Sequence, residues 1–240
     1  MRILVCNVNT TASMTETMHR AAAAVAGAGT EILSATPAFG PVSVEGYYES
    51  YISAAAVLDT LATWTGPEVD AVVWGGFGEH GREGAQELLD VPVITITEAA
   101  AMAACLLGHS YGVVTTLRRA CPQIEDQLRL AGLLERCKAI VATDLGVLEL
   151  EESEEATVAA FAAAARRALD AGAEVLCLGC GGMAGMARRL TDELGVPVVD
   201  GIEAAVKMAE GLVHLGLRTS KFNAFAAPLP KPRPGWPVSG

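Results

Sequence analysis

The sequence predicts an α/β protein of two pseudo-symmetric lobes, each a four-stranded parallel sheet flanked by helices, with the active site in the cleft between them. Short apolar runs alternate with helical segments along the whole chain, as expected for buried parallel strands and their connecting helices. Residues 70–107 and 173–213 also form an internal repeat: apolar strand, glycine-rich turn, short helix, and a Val-Pro-Val strand leading to Glu-Ala-Ala. A closed eight-stranded barrel fits the same alternation, but this repeat and the length of 240 residues favour two lobes.

Strands are predicted where an apolar run stands between helical segments. The first follows Met1-Arg2 directly, and residues 3–6 are too short a run for a signal sequence or a membrane span. No signal peptide is therefore expected. The predicted strands are 2–8, 30–35, 70–75, 92–96, 111–116, 138–143, 174–179 and 197–200.

Helices are predicted after each strand, which makes eight βα units divided four and four. The predicted helices are 11–27, 47–63, 81–89, 97–108, 121–132, 154–171, 183–194 and 202–215. Residues 228–237 hold five prolines, so a poorly ordered tail is expected there. The domain prediction is a first lobe of residues 1–98 with about 205–225, a second lobe of 99–204, and a tail of 226–240.

The net charge, the cysteine count and the hydrophobic content limit the partners and the location that are expected for this protein. A net charge of -11 argues against nucleic acid and anionic membranes as partners, because both would repel such a surface. Six cysteines without a signal sequence indicate reduced thiols and a cytoplasmic protein. The 51% hydrophobic content is enough for a substantial core.

Only one copy of the repeat carries a cysteine at the end of its strand. When the two Val-Pro-Val segments are matched, Cys180 falls on Gly76. Parallel sheets bind ligands beyond the carboxyl ends of their strands, and a cleft between lobes is the default site. The sequence therefore predicts a reactive site with a thiol on one side only.

Cys180 is the candidate catalytic residue. It lies between a strand and a predicted helix start, where free amides and the helix dipole would lower the pKa of the thiol and favour the thiolate. The N–H groups of Gly181 and Gly182 could hold an oxyanion. The alternative is a buried structural cysteine.

Cys177 completes a C-x-x-C pattern with Cys180, but strand alternation directs the Cys177 side chain to the other face of the sheet. No histidine cluster completes a metal site, so neither a metal nor another cofactor is expected.

The turn at residues 76–81 matches G-x-G-x-x-G, which also indicates a dinucleotide site. Glu79 lies where a pyrophosphate would approach, and the internal repeat explains these glycines better. Glu79 and His80 are possible auxiliary acid/base groups. The simpler interpretation of both is a solvated helix N-terminus, which favours a carboxylate.

Polar residues follow the first predicted strand of each half, and they should meet the two glycine-rich turns at one edge. The predicted substrate-binding residues are Asn9, Thr10, Gly76, Phe77, Gly78, Thr115, Thr116, Gly181 and Gly182.

Seven short motifs together resemble the aspartate/glutamate/hydantoin racemase superfamily over about residues 1–225, and most closely its hydantoin and allantoin racemase branch. They are Asn7-x-Asn9-Thr10-Thr11, Glu45-Gly46, Thr115-Thr116-Leu117, Gly179-Cys180-x-Gly182-Met183, the segment 196–201, Glu203-Ala204-Ala205 and Thr219-Ser220-Lys221-x-Asn223.

The resemblance implies two pseudo-symmetric lobes and cofactor-independent proton transfer at an acidic carbon, by two cysteines on opposite faces of the substrate. Cys180 matches the second of these cysteines, whereas the first falls at Gly76. Arylmalonate decarboxylases, distant relatives, are similar in having a glycine there and a lone cysteine followed by Gly-Gly.

The expected function is thus a racemase of the hydantoin racemase family, acting on a small molecule with a carboxylate or imide group and assembled from identical subunits. The alternatives are decarboxylation with one-sided protonation and a non-catalytic binding protein on the same fold. If Gly76 leaves one face without a proton donor, Gly76→Cys is expected to raise racemisation.

Overall fold

The structure is a computed structural model that describes residues 1–78, 80–151 and 153–238. All eight strands form close to their predicted places. They are β1 Arg2–Cys6, β2 Glu31–Ala35, β3 Ala71–Trp74, β4 Val93–Thr95, β5 Tyr111–Thr115, β6 Cys137–Ala142, β7 Val175–Leu178 and β8 Val198–Val199. The α-helices that follow them are α1 Ala12–Val25, α2 Tyr47–Ala62, α3 Arg82–Leu88, α4 Ile96–Leu107, α5 Cys121–Leu130, α6 Glu154–Asp170, α7 Ala187–Leu194 and α8 Gly201–His214.

The two halves have the same sheet topology. One sheet has the order β2-β1-β3-β4 and the other β6-β5-β7-β8, and every pairing is parallel. The central strands are buried on both faces, which is why they consist of continuous apolar runs. The predicted two four-stranded parallel sheets are confirmed.

Two helices each pack against the sheet of the opposite half of the chain, and they join the two halves into one hydrophobic core. The helix α4 follows β4 of the first sheet but packs against β7 of the second, whereas α8 follows β8 and packs against β3 and β4. Their alanine-rich faces contact each other directly, because small side chains allow close approach. The exact domain boundaries stay a prediction.

One predicted helix begins later in the structure. The seventh helix begins at Ala187 rather than at residue 183, because Gly181–Met183 forms a 3₁₀ turn and Gly185 has a left-handed φ of 89°. The proline-rich tail has no helix or strand up to residue 238, and the N–H of Val238 donates a hydrogen bond to the buried Asp59.

A buried carboxylate attaches α8 to the turn that follows α1. Glu210 accepts hydrogen bonds from the N–H of Gly27 at 2.6 Å, from Thr30 Oγ1 at 2.7 Å and from Lys207 Nζ at 2.8 Å. Burial alone would raise the pKa of this carboxyl. The donors outweigh burial, and the pKa falls to about 2.

We expect Glu210→Gln to lower the free energy of unfolding by about 1–3 kcal/mol, because the donors lose a charged acceptor. The pKa lies below its ordinary value of 4.5, so the stabilisation is complete above that pH and is lost as the pH falls towards about 2. Urea unfolding of both proteins between about pH 2.5 and 7 measures this difference, with Glu16→Gln on the exposed face of α1 as the control. A difference that does not shrink at low pH would contradict the prediction.

Candidate active site

The strand ends of the two halves are equivalent in their hydrogen bonding. The N–H of Gly75 donates to Cys6 O at 2.8 Å, and the N–H of Gly179 donates to Val114 O at 2.8 Å. The residues that follow them, Gly76 and Cys180, therefore occupy corresponding positions, as the internal repeat predicted.

A cavity lies between these strand ends and is lined by both halves of the chain. It contains most of the residues that the sequence singled out: Asn9, Gly76, Phe77, His80, Thr115, Thr116, Cys180, Gly181 and Gly182. The carboxyl ends of β1, β3, β5 and β7 thus meet at one place, as parallel sheets require.

Two of the predicted residues that the structure describes are not among the residues that line it. Thr10 lies towards another loop, where its Oγ1 donates to Pro41 O at 3.2 Å. Gly78 lines a separate outer groove, and its N–H donates to Thr97 Oγ1 at 2.9 Å. Glu79 lies outside the described residues.

Several lining residues were missed by the sequence analysis. They are Asn7, Val8, Met14, Met18, Val44, Gly75, Ala120, Val147 and Gly179. Asn7 belongs to the polar cluster after β1, and that cluster could have identified it as a lining residue. The two methionines are four residues apart on one face of α1, a spacing that in sequence predicts only a core position.

Met18 lies between the two glycine turns, and backbone carbonyls close to each turn explain why both are glycine: a Cβ on Gly75 would also lie 2.8 Å from Cys6 O. A Cβ on Gly75 would come within 2.7 Å of Met18 Sδ, and one on Gly181 would come within 2.8 Å of it. The same Cβ on Gly181 would lie 2.7 Å from Gly75 O. The two turns therefore approach each other more closely than any larger residue permits.

Some polar groups of the cavity lining form hydrogen bonds within the protein, whereas others are available to a ligand. Asn7 Nδ2 donates to Asn9 Oδ1 at 3.0 Å, and Thr115 Oγ1 donates to Gly179 O at 3.0 Å, so the hydroxyl of Thr115 holds the turn rather than a ligand. Among the described residues, Thr116 Oγ1 and the N–H of Gly181 have no hydrogen-bond partner. These two groups can bind a ligand oxygen.

The predicted low pKa of Cys180 is wrong. Burial raises the pKa of the thiol to about 11; the N–H of Gly182 lowers it only in part, and the Glu45 carboxylate raises it further. The seventh helix begins beyond the 3₁₀ turn, so the dipole of an α-helix does not act on Sγ. Cys180 is therefore a neutral thiol at neutral pH, which is the form that can donate a proton.

We expect the rate of alkylation of Cys180 by iodoacetamide to rise about tenfold per pH unit between about pH 7 and 9.5, because only the thiolate reacts. Preferential labelling of Cys180 at neutral pH is no longer expected. Peptide mass spectrometry follows Cys180 separately from the other cysteines, and Cys180→Ala is the control for assignment. A rate that levels off below about pH 9 would contradict a raised pKa.

His80 is not the solvated residue that its position near a helix start suggested. Its side chain is buried, lines the cavity, and contacts groups from α2 and α5. Burial lowers the pKa of the imidazole to about 4, and a backbone hydrogen bond with Phe77 opposes this only in part. The ring is therefore neutral at pH 7.

Comparisons with known proteins agree with the resemblance that the motifs indicated. The Asp/Glu/Hydantoin racemase family matches residues 3–209. A hydantoin racemase of Pseudomonas sp. (strain NS671) is 38% identical over 229 residues, which are 95% of this chain and 92% of the relative. The solved allantoin racemase of Pseudomonas fluorescens is 56% identical, with a TM-score of 0.95 over 97% of this chain and 99% of that one.

A more distant structure shares the fold alone. A solved arylmalonate decarboxylase is 16% identical to the chain, with a TM-score of 0.59 over 94% of this chain and 97% of that one.

Proposed function

The chain belongs to the Asp/Glu/Hydantoin racemase family, and from that premise we propose that it racemises hydantoin-type compounds, with allantoin as the first candidate, and uses no cofactor. Its homologues identify it as a racemase. The 56% identity with an allantoin racemase over almost the whole chain is the observation that carries the choice of substrate. Allantoin and hydantoins share an imide ring, which meets the expectation of a carboxylate or imide substrate.

In the proposed reaction, a proton leaves the stereogenic ring carbon and another reaches it from the opposite face. The electron pair of the broken C–H bond moves into the adjacent carbonyl and forms an enolate. The N–H of Gly181 and the hydroxyl of Thr116 are free to stabilise the enolate oxygen, and the neutral thiol of Cys180 donates the new proton.

The experiment is a panel of single enantiomers followed by chiral chromatography: allantoin, monosubstituted hydantoins, amino acids and disubstituted malonates. We expect racemisation of allantoin above the uncatalysed rate, with or without EDTA and without added nucleotide. Carbon dioxide release from a malonate would instead support the decarboxylase alternative. Binding without turnover of any compound would support the non-catalytic alternative.

The proposal extends to partners and location. In the described part of the chain, no helix combines the length and the apolar character needed to cross a membrane. A cytoplasmic location is supported by six free cysteines, since reduced thiols persist there. Assembly from identical subunits is supported by the exposed Met102, Leu106 and Leu107 on α4, and sedimentation of the wild type against Leu106→Glu tests it.

A further inference from the structure

We propose that His80 is the second acid/base group of this site and acts on the face of the substrate opposite Cys180. The inference rests on the proposed racemisation. Inversion at carbon requires a proton to leave one face and another to arrive on the opposite face, and Cys180 serves only one of them. The residue equivalent to Cys180 in the other half is Gly76, which has no side chain.

The imidazole of His80 fills the space that a side chain on Gly76 would take. A Cβ built on Gly76 would overlap His80 Cδ2, and it would also come within 2.7 Å of Val8 Cγ1. The ring therefore stands at the position that corresponds to the Cys180 side chain, and both residues line the same cavity. Because Gly76 has no side chain, it leaves the space that the His80 ring occupies.

The backbone of His80 is held in an uncommon conformation to place the ring. Its φ is 38°, in the left-handed region that only a small fraction of residues other than glycine adopt. The next residue, Gly81, has a φ of 92°, and a Cβ on it would lie 2.6 Å from the Cβ of Ala54. Such conformations concentrate at functional sites, where the surrounding structure maintains them.

Two side chains from different halves of the molecule orient the ring. Ser50 Oγ lies 2.8 Å from His80 Nδ1, and Gln123 Nε2 donates to the same Ser50 Oγ at 2.8 Å. Gln123 Nε2 also lies 3.3 Å from His80 Nδ1, but its shorter contact is with Ser50 Oγ, which can accept from both. Nδ1 can therefore donate its proton to Ser50 Oγ, and in that tautomer Nε2 is the basic nitrogen.

The two groups together complete the proton balance. When the substrate hydrogen faces His80, the C–H bond breaks, its electron pair enters the carbonyl as an enolate, and Nε2 takes the proton. The S–H bond of Cys180 then breaks, the same carbon receives this proton from the opposite face, and a thiolate remains. The imidazolium and thiolate so formed are the pair that converts the other enantiomer by the reverse steps.

The resting protonation states agree with these roles. Burial keeps His80 neutral and able to accept a proton, and burial keeps Cys180 protonated and able to donate one. Two neutral groups are also the pair that a buried cavity tolerates at least cost, since an isolated charge there is unfavourable.

The test is exchange of the substrate hydrogen in deuterium oxide, starting from each enantiomer of allantoin separately. The proteins are the wild type, His80→Asn, Cys180→Ala and the exposed control His109→Asn. Asparagine tolerates a positive φ, and His80→Gly serves as a second variant that also suits this backbone. Circular dichroism melting checks that each variant is folded.

We expect His80→Asn and His80→Gly to lose racemisation by on the order of 10²–10⁴-fold. Their residual exchange should be confined to one enantiomer and proceed with retention, while that of Cys180→Ala is confined to the other enantiomer. A structural role for His80 would reduce exchange from both enantiomers equally. Equal loss, or racemisation within about threefold of the wild type, would overturn the proposal.

The control separates this inference from the function on which it rests. His109→Asn should behave as the wild type. A wild type that racemises no member of the panel defeats the proposed function and the role of His80 together. A wild type that racemises allantoin while the His80 variants also do so defeats only the role of His80.

Discussion

Replacement of Cys180 by alanine is expected to reduce racemisation by on the order of 10²–10⁴-fold, because a positioned acid or base contributes that much to a proton transfer. The N–H of Gly181 and the hydroxyl of Thr116 do not belong to the Cys180 side chain, so its truncation removes the proton donor and leaves these two oxyanion contacts in place. Initial rates by chiral chromatography, from both enantiomers of allantoin, measure the effect.

Cys177→Ala is the matched control for this prediction. Cys177 lies three residues before Cys180, on β7. It is fully buried and is not among the described residues that line the cavity, so the same substitution there tests for general damage to the strand. It should keep the rate within about threefold of the wild type while losing some stability to the small void. Full activity in Cys180→Ala would show that another group donates the proton.

Gly76→Cys is expected to impair the enzyme rather than to raise racemisation, which reverses the expectation from the sequence. The new Cβ would overlap the ring of His80 and press on Val8, and forced packing of this kind costs about 1–3 kcal/mol. Displacement of the ring would also remove the proposed second base. Thermal unfolding and racemisation assays should therefore both decline.

Room for the thiol can be made by design. In Val8→Ala/Gly76→Cys/His80→Gly, both obstructing groups are shortened, and glycine suits the positive φ of residue 80. This variant should racemise allantoin faster than His80→Gly does, by about 10-fold or more, because a thiol again faces Cys180.

Gly211→Ala is the steric control for these substitutions. It adds a Cβ in α8 where nothing lies within 4 Å, and alanine favours a helix over glycine by about 1 kcal/mol. It should unfold at an equal or higher temperature than the wild type. If Gly76→Cys alone is as stable as the wild type and racemises faster than it, the predicted overlap with His80 is contradicted.

The prediction of the fold from sequence succeeded where the signal was local. Most strands were apolar runs of a few residues between helical segments, so they could be recognised without knowledge of their neighbours in space. The start of α7 was missed because Gly181–Met183 adopts a 3₁₀ turn, and the glycines that permit this turn also fit a helix start.

The candidate site was predictable only where the internal repeat and the topology of parallel sheets determine which residues meet. The repeat placed Cys180 opposite Gly76, and the rule for parallel sheets brought the ends of β1, β3, β5 and β7 together. Thr10 does not line the cavity, because its hydroxyl donates to Pro41 O in a loop that the strand pattern does not describe.

By itself the sequence determined the alternation of strands and helices, the internal repeat, the position of the Cys180 thiol at a strand end and the family. Only the tertiary structure decided the protonation of that thiol, because a pKa depends on burial, and burial depends on contacts between distant segments. The same is true of His80, which meets Gly76 within its own turn but is oriented by Ser50 and Gln123 from two separate helices. Periodicity describes the neighbours of a residue along the chain, whereas the chemistry of this site depends on its neighbours in space.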